Sequence, residues 1–310
     1  MKILVTGGAG YLGSILVSEL LKLNHEVFVI DNFMYQQTSL LHLCSFDKLH
    51  IMRADVRDKL LVSSYMNKVD CIIPLACLTG APLCDENPWL AKEVNYEAVA
   101  HILQSKNTSQ MLIFPMTNSG YGVGQDNIFC TEETPLLPVS YYGRLKVELE
   151  KHILSAENTI SLRFATLFGI SPRMRLDLLV NDFSYRAFKD RFIVLYESHF
   201  KRNYLHVRDA ARAMIYCLEH FDVMKAEAYN VGLSDANLTK LELCHTIKKY
   251  VPEFCIYQSE VGKDPDQRNY IVSNEKMKRM GFEPEISLES GIVELMKGFT
   301  ILPKAFFSNV

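Results

Sequence analysis

The chain has 310 residues, 48% hydrophobic and 22% charged, with a formal net charge of −3. That is ordinary globular composition, and a weakly negative chain has no field that recruits nucleic acid or an anionic membrane. No stretch approaches the ~18 uninterrupted apolar residues of a membrane span, and the run Met1-Lys-Ile-Leu-Val-Thr-Gly-Gly8 has neither the length nor the cleavage site of a targeting peptide, so a cytoplasmic protein is expected.

Ile3–Thr6 reads as a buried strand, and Tyr11–Leu23 is apolar at helical spacing. Strands follow at Glu26–Asp31, Leu49–Arg53 and Asp70–Ile73, then a long helix at Glu86–Ser105 and a strand at Met111–Phe114. A helix at Tyr141–Ser155 and a strand at Ile160–Arg163 close the first half. Apolar strands alternating with helices predict a parallel sheet covered on both faces, the α/β doubly wound Rossmann class.

The second half is less regular. Helices are expected at Arg175–Phe188, Val207–His220, Thr239–Tyr250, Asn274–Met280 and Leu288–Phe299, and strands at Phe192–Leu195 and Ala228–Val231. Thr239 with Glu242 three residues on has the pattern of a capping box. Residues 1–166 with about 193–224 are expected to form the cofactor domain, and about 167–192 with 225–310 a smaller, interwoven substrate lobe. The eight cysteines, spread from Cys44 to Cys255 without a C-x-x-C, read as free thiols, and no metal site is expected.

Thr6-Gly-Gly-Ala-Gly-Tyr-Leu-Gly13 follows the first strand and opens the first helix. Gly7 permits a tight turn, Gly10 lets backbone amides approach a pyrophosphate, and Gly13 lets the helix pack close to the strand. The helix N-terminus then directs partial positive charge at the phosphates, with Tyr11 and Leu12 in its first turn. Asp31 closes the second strand, eighteen residues after Gly13. A carboxylate there accepts hydrogen bonds from ribose hydroxyls and repels a 2′-phosphate, which favours NAD over NADP. Asp55-Val56 is placed either to hold the adenine edge or to cap a helix at Asp58-Lys-Leu-Leu.

Tyr142 and Lys146 are four apart on a predicted helix and share a face. A neighbouring ammonium and a positively charged nicotinamide favour phenolate, so Tyr142 is expected to titrate below its usual value and take a hydroxyl proton as hydride leaves the same carbon. Lys146 is also in reach of the nicotinamide ribose. Such a pair is common by chance, but this one follows the fifth strand by one loop, on the carboxyl edge where ligands bind. Thr117 lies directly after that strand, where its hydroxyl can meet the substrate oxygen.

With these residues assembled, the chain resembles the extended short-chain dehydrogenase/reductases, specifically the NAD-dependent epimerase/dehydratase group acting on nucleotide sugars. The resemblance rests on the glycine turn, Asp31-Asn32, Asp55-Val56, Leu75-Ala76, Asn95, Thr117-Asn-Ser-Gly-Tyr-Gly122 and Pro138-x-Ser-x-Tyr-Gly-x-x-Lys146. Further on it rests on Arg202-Asn-Tyr-Leu-His-Val-Arg-Asp209, Tyr229-Asn-Val-Gly232 and Arg268-Asn-Tyr270. It implies a catalytic triad of Thr117, Tyr142 and Lys146, cofactor contacts at Asn32, Leu75 and Ala76, and substrate-diphosphate contacts from Arg202 and Arg268, whose guanidinium forks suit phosphate oxygens. It also implies a homodimer built on the Asn87–Ser105 and Tyr141–Ser155 helices.

The chain departs from that pattern in places. Dehydratases of the group carry Asp-Glu directly after the threonine, whereas Asn118-Ser119 does not ionise, which argues against water elimination. Pro74 and Thr166 replace a usual His and Asn. The stretches Ile73–Cys77 with Gly80–Cys84, Asn118–Gly122, Ser171–Phe183 and Lys201–Val207 are similar to a narrower group of dehydrogenases that oxidise C4 of GDP-manno-heptose in bacterial capsule synthesis. That likeness implies a GDP-linked nucleotide sugar as partner, with Thr79, Asn95, Asn118, Ser119, Arg173, Arg175 and Asn181 on the substrate side. The same residues suit a UDP-glucose-type 4-epimerase, and a non-catalytic NAD-binding protein is the remaining alternative.

Overall fold

The computed structural model describes residues 1–125, 127–262 and 267–302. The strands are β1 (Lys2–Thr6), β2 (Glu26–Asp31), β3 (Leu49–Arg53), β4 (Cys71–Pro74), β5 (Met111–Thr117), β6 (Phe129–Cys130), β7 (Thr159–Phe164), β8 (Thr166–Phe168), β9 (Phe192–Tyr196), β10 (Lys201–His206), β11 (Glu227–Val231), β12 (Asn237–Thr239), β13 (Cys255–Ser259) and β14 (Ile271–Val272). The helices are α1 (Tyr11–Lys22), α2 (Lys59–Met66), α3 (Ala81–Glu86), α4 (Pro88–Lys92), α5 (Ala98–Ser105), α6 (Tyr141–Leu154), α7 (Leu179–Lys189), α8 (Val207–Glu219), α9 (Phe221–Met224), α10 (Lys240–Lys248), α11 (Glu275–Arg279) and α12 (Leu288–Phe299).

Seven strands form one parallel sheet in the order β11-β7-β5-β4-β1-β2-β3. Its central strands are apolar on both sides because helices cover both faces. Ile3, Val5, Val27 and Val29 face α1 and α8, while Leu4, Ile30, Ile72 and Leu112 face α2, α5 and α6. This is the expected Rossmann-like α/β fold. The strand order reverses between β1 and β4, and the crevice outside their carboxyl ends is where such sheets bind ligands.

The expected helix over Glu86–Ser105 is broken. Asn87 has φ −131° and ψ 66° and separates α3 from α4, because the following Pro88 disfavours helical backbone before it. A single π-helical turn at Glu93–Glu97 then joins α4 to α5 and carries Asn95. The helix expected from Arg175 begins only at Leu179. The turn before it is tied by Arg175 Nε, which donates to Asp177 Oδ1 at 3.1 Å. Asp58 caps α2, its carboxylate accepting from Leu61 N at 3.0 Å, so Asp55 is not the cap.

The remaining strands make three small sheets, β12-β10-β8, β13-β9 and β14-β6. β11 pairs with β7 in the large sheet, while β9 and β10 pair in the small ones. The burial pattern agrees, since Ile193, Leu195 and Tyr204 pack with α7, α10 and α12. The capping box at α10 is present, with Thr239 Oγ1 accepting from Glu242 N at 3.1 Å and Glu242 Oε2 accepting from Thr239 N at 2.8 Å. All eight cysteines are free thiols.

Candidate active site

A cavity of about 530 Å³ opens along the carboxyl edge of the large sheet. At one end lies the glycine turn. Gly7 has φ +71°, and a Cβ there would sit 2.5 Å from Ala76 N. A Cβ on Gly13 would sit 2.4 Å from the Gly7 carbonyl oxygen, so the helix start reaches the strand only because neither residue has a side chain. Gly7, Gly10, Tyr11, Leu12 and Gly13 all line the cavity. The Tyr11 phenol donates to the carbonyl of Gly169, the residue after β8, at 2.7 Å.

Asp31, Asn32, Asp55, Val56, Leu75 and Ala76 line the same end. Asp31 is 8% exposed. Its carboxylate accepts from Ala9 N at 3.0 Å, Phe33 N at 2.8 Å and Gln37 Nε2 at 3.2 Å, which fixes its orientation. Burial raises its pKa, and the nearby Arg173 guanidinium opposes that shift. Asp55 is chelated by Arg57, whose Nε and Nη2 donate at 2.9 Å, and this contact lowers its pKa.

Thr117, Tyr142 and Lys146 line the other end. Ser140 starts α6 by accepting from Gly143 N at 3.1 Å, which sets the helix phase that turns Tyr142 and Lys146 inward. Lys146 is 4% exposed. Its ammonium donates to Pro115 O at 2.9 Å and stands 4.6 Å from the Phe114 ring centroid, and burial lowers its pKa. Thr117 Oγ1 accepts from Ser119 N at 3.1 Å and donates to Ser119 Oγ at 3.0 Å.

The expected lowering of the Tyr142 pKa is not found. Burial holds the phenol well above its ordinary value, and Arg175 and Arg268 only partly oppose this. The Cys77 and Cys84 thiols beside the phenol add to the upward shift. The positive nicotinamide of that expectation is a charge this protein does not itself supply.

Among the residues expected to meet substrate, Thr79, Ser119, Arg173, Arg175 and Arg268 line the cavity. Arg175 Nη1 donates to Thr79 Oγ1 at 2.8 Å, and Arg268 donates to Ser119 Oγ. Arg173 lies nearer the cofactor end than expected, 4.6 Å over the Tyr35 ring and close enough to Asp31 to affect it.

Four others do not line the cavity. Asn95 is 1% exposed and occupied by backbone, accepting from Leu78 N at 2.8 Å and donating to Leu78 O at 2.9 Å. Asn181 accepts from Gly169 N at 3.0 Å and donates to Arg175 O at 2.8 Å and Tyr11 OH at 3.2 Å. Asn118 is 1% exposed, and its amide has no hydrogen-bond partner among the described residues. Arg202 is 2% exposed, donates to Lys201 O at 2.8 Å and lies 5.7 Å from the ring of Tyr270, which does line the cavity. Sequence reasoning missed Cys77, whose thiol lies against the Tyr142 phenol. Its position directly after Leu75-Ala76 was the available signal.

A doubly wound sheet with a glycine turn, a strand-end acid and a Tyr-x-x-x-Lys helix along one cavity defines a dinucleotide-binding protein of the short-chain dehydrogenase/reductase type. The chain belongs to the NAD dependent epimerase/dehydratase family, whose model matches residues 3–232. It is 26% identical over 313 residues to UDP-glucose 4-epimerase of Lactobacillus helveticus, covering 92% of each chain. It is 27% identical to UDP-glucuronic acid decarboxylase 1 of Arabidopsis thaliana, covering 96% of this chain and 70% of that one. Among solved structures, Thermus thermophilus UDP-glucose 4-epimerase in complex with NAD superposes with a TM-score of 0.82 at 24% identity, over 97% of this chain and 99% of that one. UDP-glucuronic acid 4-epimerase from Bacillus cereus, in complex with UDP-glucuronic acid and NAD, superposes with a TM-score of 0.86 at 21% identity, over 97% and 99%. No helix among the described residues is long and apolar enough to cross a membrane.

Proposed function

We propose that the chain oxidises C4 of a nucleoside-diphosphate sugar, a GDP-heptose by preference, with Tyr142 as the base. The observation that carries this reading is that Thr117, Tyr142 and Lys146 share one cavity with the glycine turn and Asp31. The cradle fits NAD, because Gly7 and Gly13 leave free the space a Cβ would fill, and Asp31 retains acceptor capacity for ribose hydroxyls. Bound NAD supplies a hydride acceptor.

The protein's own residues do the rest. Tyr142 takes the C4 hydroxyl proton, and Thr117, whose hydroxyl donates to Ser119 Oγ in the free site, turns its own proton to the same oxygen when substrate is present. To act as that base Tyr142 must first be the phenolate, and the Lys146 ammonium four residues on favours this form, whose charge is discharged when the proton arrives. Arg268 and Arg175, the latter also paired with Asp177, line the same cavity and offer guanidinium groups to an anionic diphosphate that the bulk charge of the chain does not attract. Asn118 and Ser119 hold no titratable proton, so elimination of water is not favoured.

A UDP-sugar 4-epimerase uses the same groups and is the second reading, favoured by the likeness to UDP-glucose 4-epimerase of Lactobacillus helveticus. Nuclear magnetic resonance of the products from GDP-manno-heptose and from UDP-glucose separates the two. A 4-keto sugar with NADH supports the first, and a stereoisomer without net reduction supports the second. Turnover of neither sugar, or unchanged turnover in Tyr142→Phe, overturns the assignment.

The cytoplasmic homodimer of the sequence reading is retained as part of this proposal. Trp89 on α4 is 68% exposed, and Tyr96 OH meets His152 Nδ1 at 3.3 Å between the two helices concerned. Sedimentation of the wild type and of Trp89→Ala tests it, and a wild-type monomer at micromolar concentration contradicts it.

A further inference from the structure

We infer that Glu150 and Arg163 are positioning residues that hold the Tyr142–Lys146 helix in register with Thr117. The inference rests on the functional assignment above. Tyr142, Lys146 and Glu150 are spaced by four, so they lie along one stripe of α6. Glu150 is 2% exposed. Its carboxylate accepts from Ser161 Oγ at 2.6 Å, from Arg163 Nε at 3.0 and 3.2 Å and from Arg163 Nη2 at 2.9 Å. Ser161 and Arg163 are on β7, so α6 is fastened to the sheet about two turns beyond Tyr142.

The second arm of the same guanidinium reaches the threonine. Arg163 Nη1 donates to Tyr121 OH at 3.1 Å and to Glu132 O at 3.0 Å. Tyr121 ends the short turn that begins after Thr117, and its hydroxyl donates to Asn230 Oδ1 on β11 at 2.7 Å. One buried arginine therefore ties together the helix carrying Tyr142 and Lys146, the turn following Thr117 and the last strand of the sheet.

Stability alone does not call for charges here. Replacing a buried ion pair by apolar side chains is often neutral or stabilising. A chelated guanidinium instead fixes both distance and rotation, which dispersion contacts do not. A displacement of about 1 Å at a reacting group can cost on the order of 100-fold in rate, so a helix that rolls or slides is a kinetic defect before it is a folding defect.

The test is Glu150→Asp, which keeps the charge and withdraws the carboxylate by one methylene. Turnover of GDP-manno-heptose and UDP-glucose is expected to fall about 10-fold or more, with substrate KM and NAD affinity within about twofold. A readout without substrate is the alkaline ultraviolet difference titration of Tyr142, taken as wild type minus Tyr142→Phe. Its midpoint is expected to move in the Glu150→Asp background, because the loosened helix no longer holds the phenol in the same setting among Cys77, Arg175 and Arg268. Ser161→Ala removes one donor to Glu150 without touching the cavity, and serves if Glu150→Asp does not fold. Wild-type turnover and an unmoved titration, beside a lowered Tm, overturn the inference. Tyr142→Phe assayed in parallel keeps the two claims apart. If it retains turnover the functional reading fails, whereas if it is inactive and Glu150→Asp is not slowed, only the positioning role fails.

Discussion

Lys146 Nζ donates to the carbonyl oxygen of Pro115 at 2.9 Å, and Pro115 lies two residues before Thr117 on β5. The ammonium on the tyrosine's helix is thereby anchored to the threonine's strand. Lys146→Met removes both the anchor and the charge, and turnover is expected to fall on the order of 100-fold or more. Lys146→Arg is not expected to rescue it, since a planar guanidinium does not reproduce the compact ammonium that donates to Pro115 O. Steady-state rates together with NADH fluorescence titration check both statements.

Gly13→Ala is expected to abolish NAD binding. Its Cβ would stand 2.4 Å from the Gly7 carbonyl and 2.8 Å from Gly8 Cα, both backbone atoms with nowhere to go. Isothermal titration with NAD reads this directly, and wild-type affinity in a folded variant would refute the packing role given to Gly13.

Asn95→Ala strands the buried N–H of Leu78 and leaves its carbonyl only the weak thiol donors Cys77 and Cys84. An unpaired buried N–H costs about 1–3 kcal/mol, so a clear fall in Tm is expected. Substrate KM should change less than it does in Arg175→Ala, because Asn95 does not line the cavity and Arg175 does. Equal KM effects would return Asn95 to the substrate side.

Burial pushes the thiols of Cys71, Cys84 and Cys244 and the phenol of Tyr229 up to about 12, and raises Tyr11 and Tyr121 further. In each case the folded chain holds the proton more tightly than the unfolded chain. The resulting stability is fully present below the unfolded values, about 8.5 for thiols and 10 for phenols. It is lost as pH rises from there through the folded values. Thermal melts are expected to be level up to about pH 8 and to fall steadily above about pH 9. A Tm unchanged to pH 11 would contradict the burial of these groups.

The parts of the site that were legible in the sequence are those made by contiguous residues. The glycine turn, Asp31 and the Tyr142–Lys146 pair each depend on a local backbone form, and local form follows from spacing. Arg202, Asn95 and Asn181 were read as ligand groups by residue type and motif position, and the structure places them in the wall behind the cavity. Asn95 and Asn181 serve there as donors and acceptors to backbone brought in from elsewhere in the chain, Leu78 and Gly169, while Arg202 donates to the neighbouring Lys201 carbonyl. No pattern in their own segments announces that partner. The strands β8, β10 and β12 escaped for the same reason, since β10 pairs with β8 and with β12 each across about forty residues of chain. The raised Tyr142 pKa was missed because an argument from charges alone omits the desolvation that outweighs them here.

The place of β11 at one end of the large sheet has a consequence for how the protein is made. During synthesis the first six strands of that sheet emerge long before Glu227–Val231, and until then β7 presents a bare edge. Bare edges pair with whatever strand is nearby, including another nascent copy. The Arg163–Tyr121–Asn230 contacts are likewise incomplete until β11 arrives. A truncation that ends at the last residue of β7 would thus yield an aggregation-prone fragment, not a working nucleotide-binding module, and fusions or split reporters are better joined after residue 231 than before it.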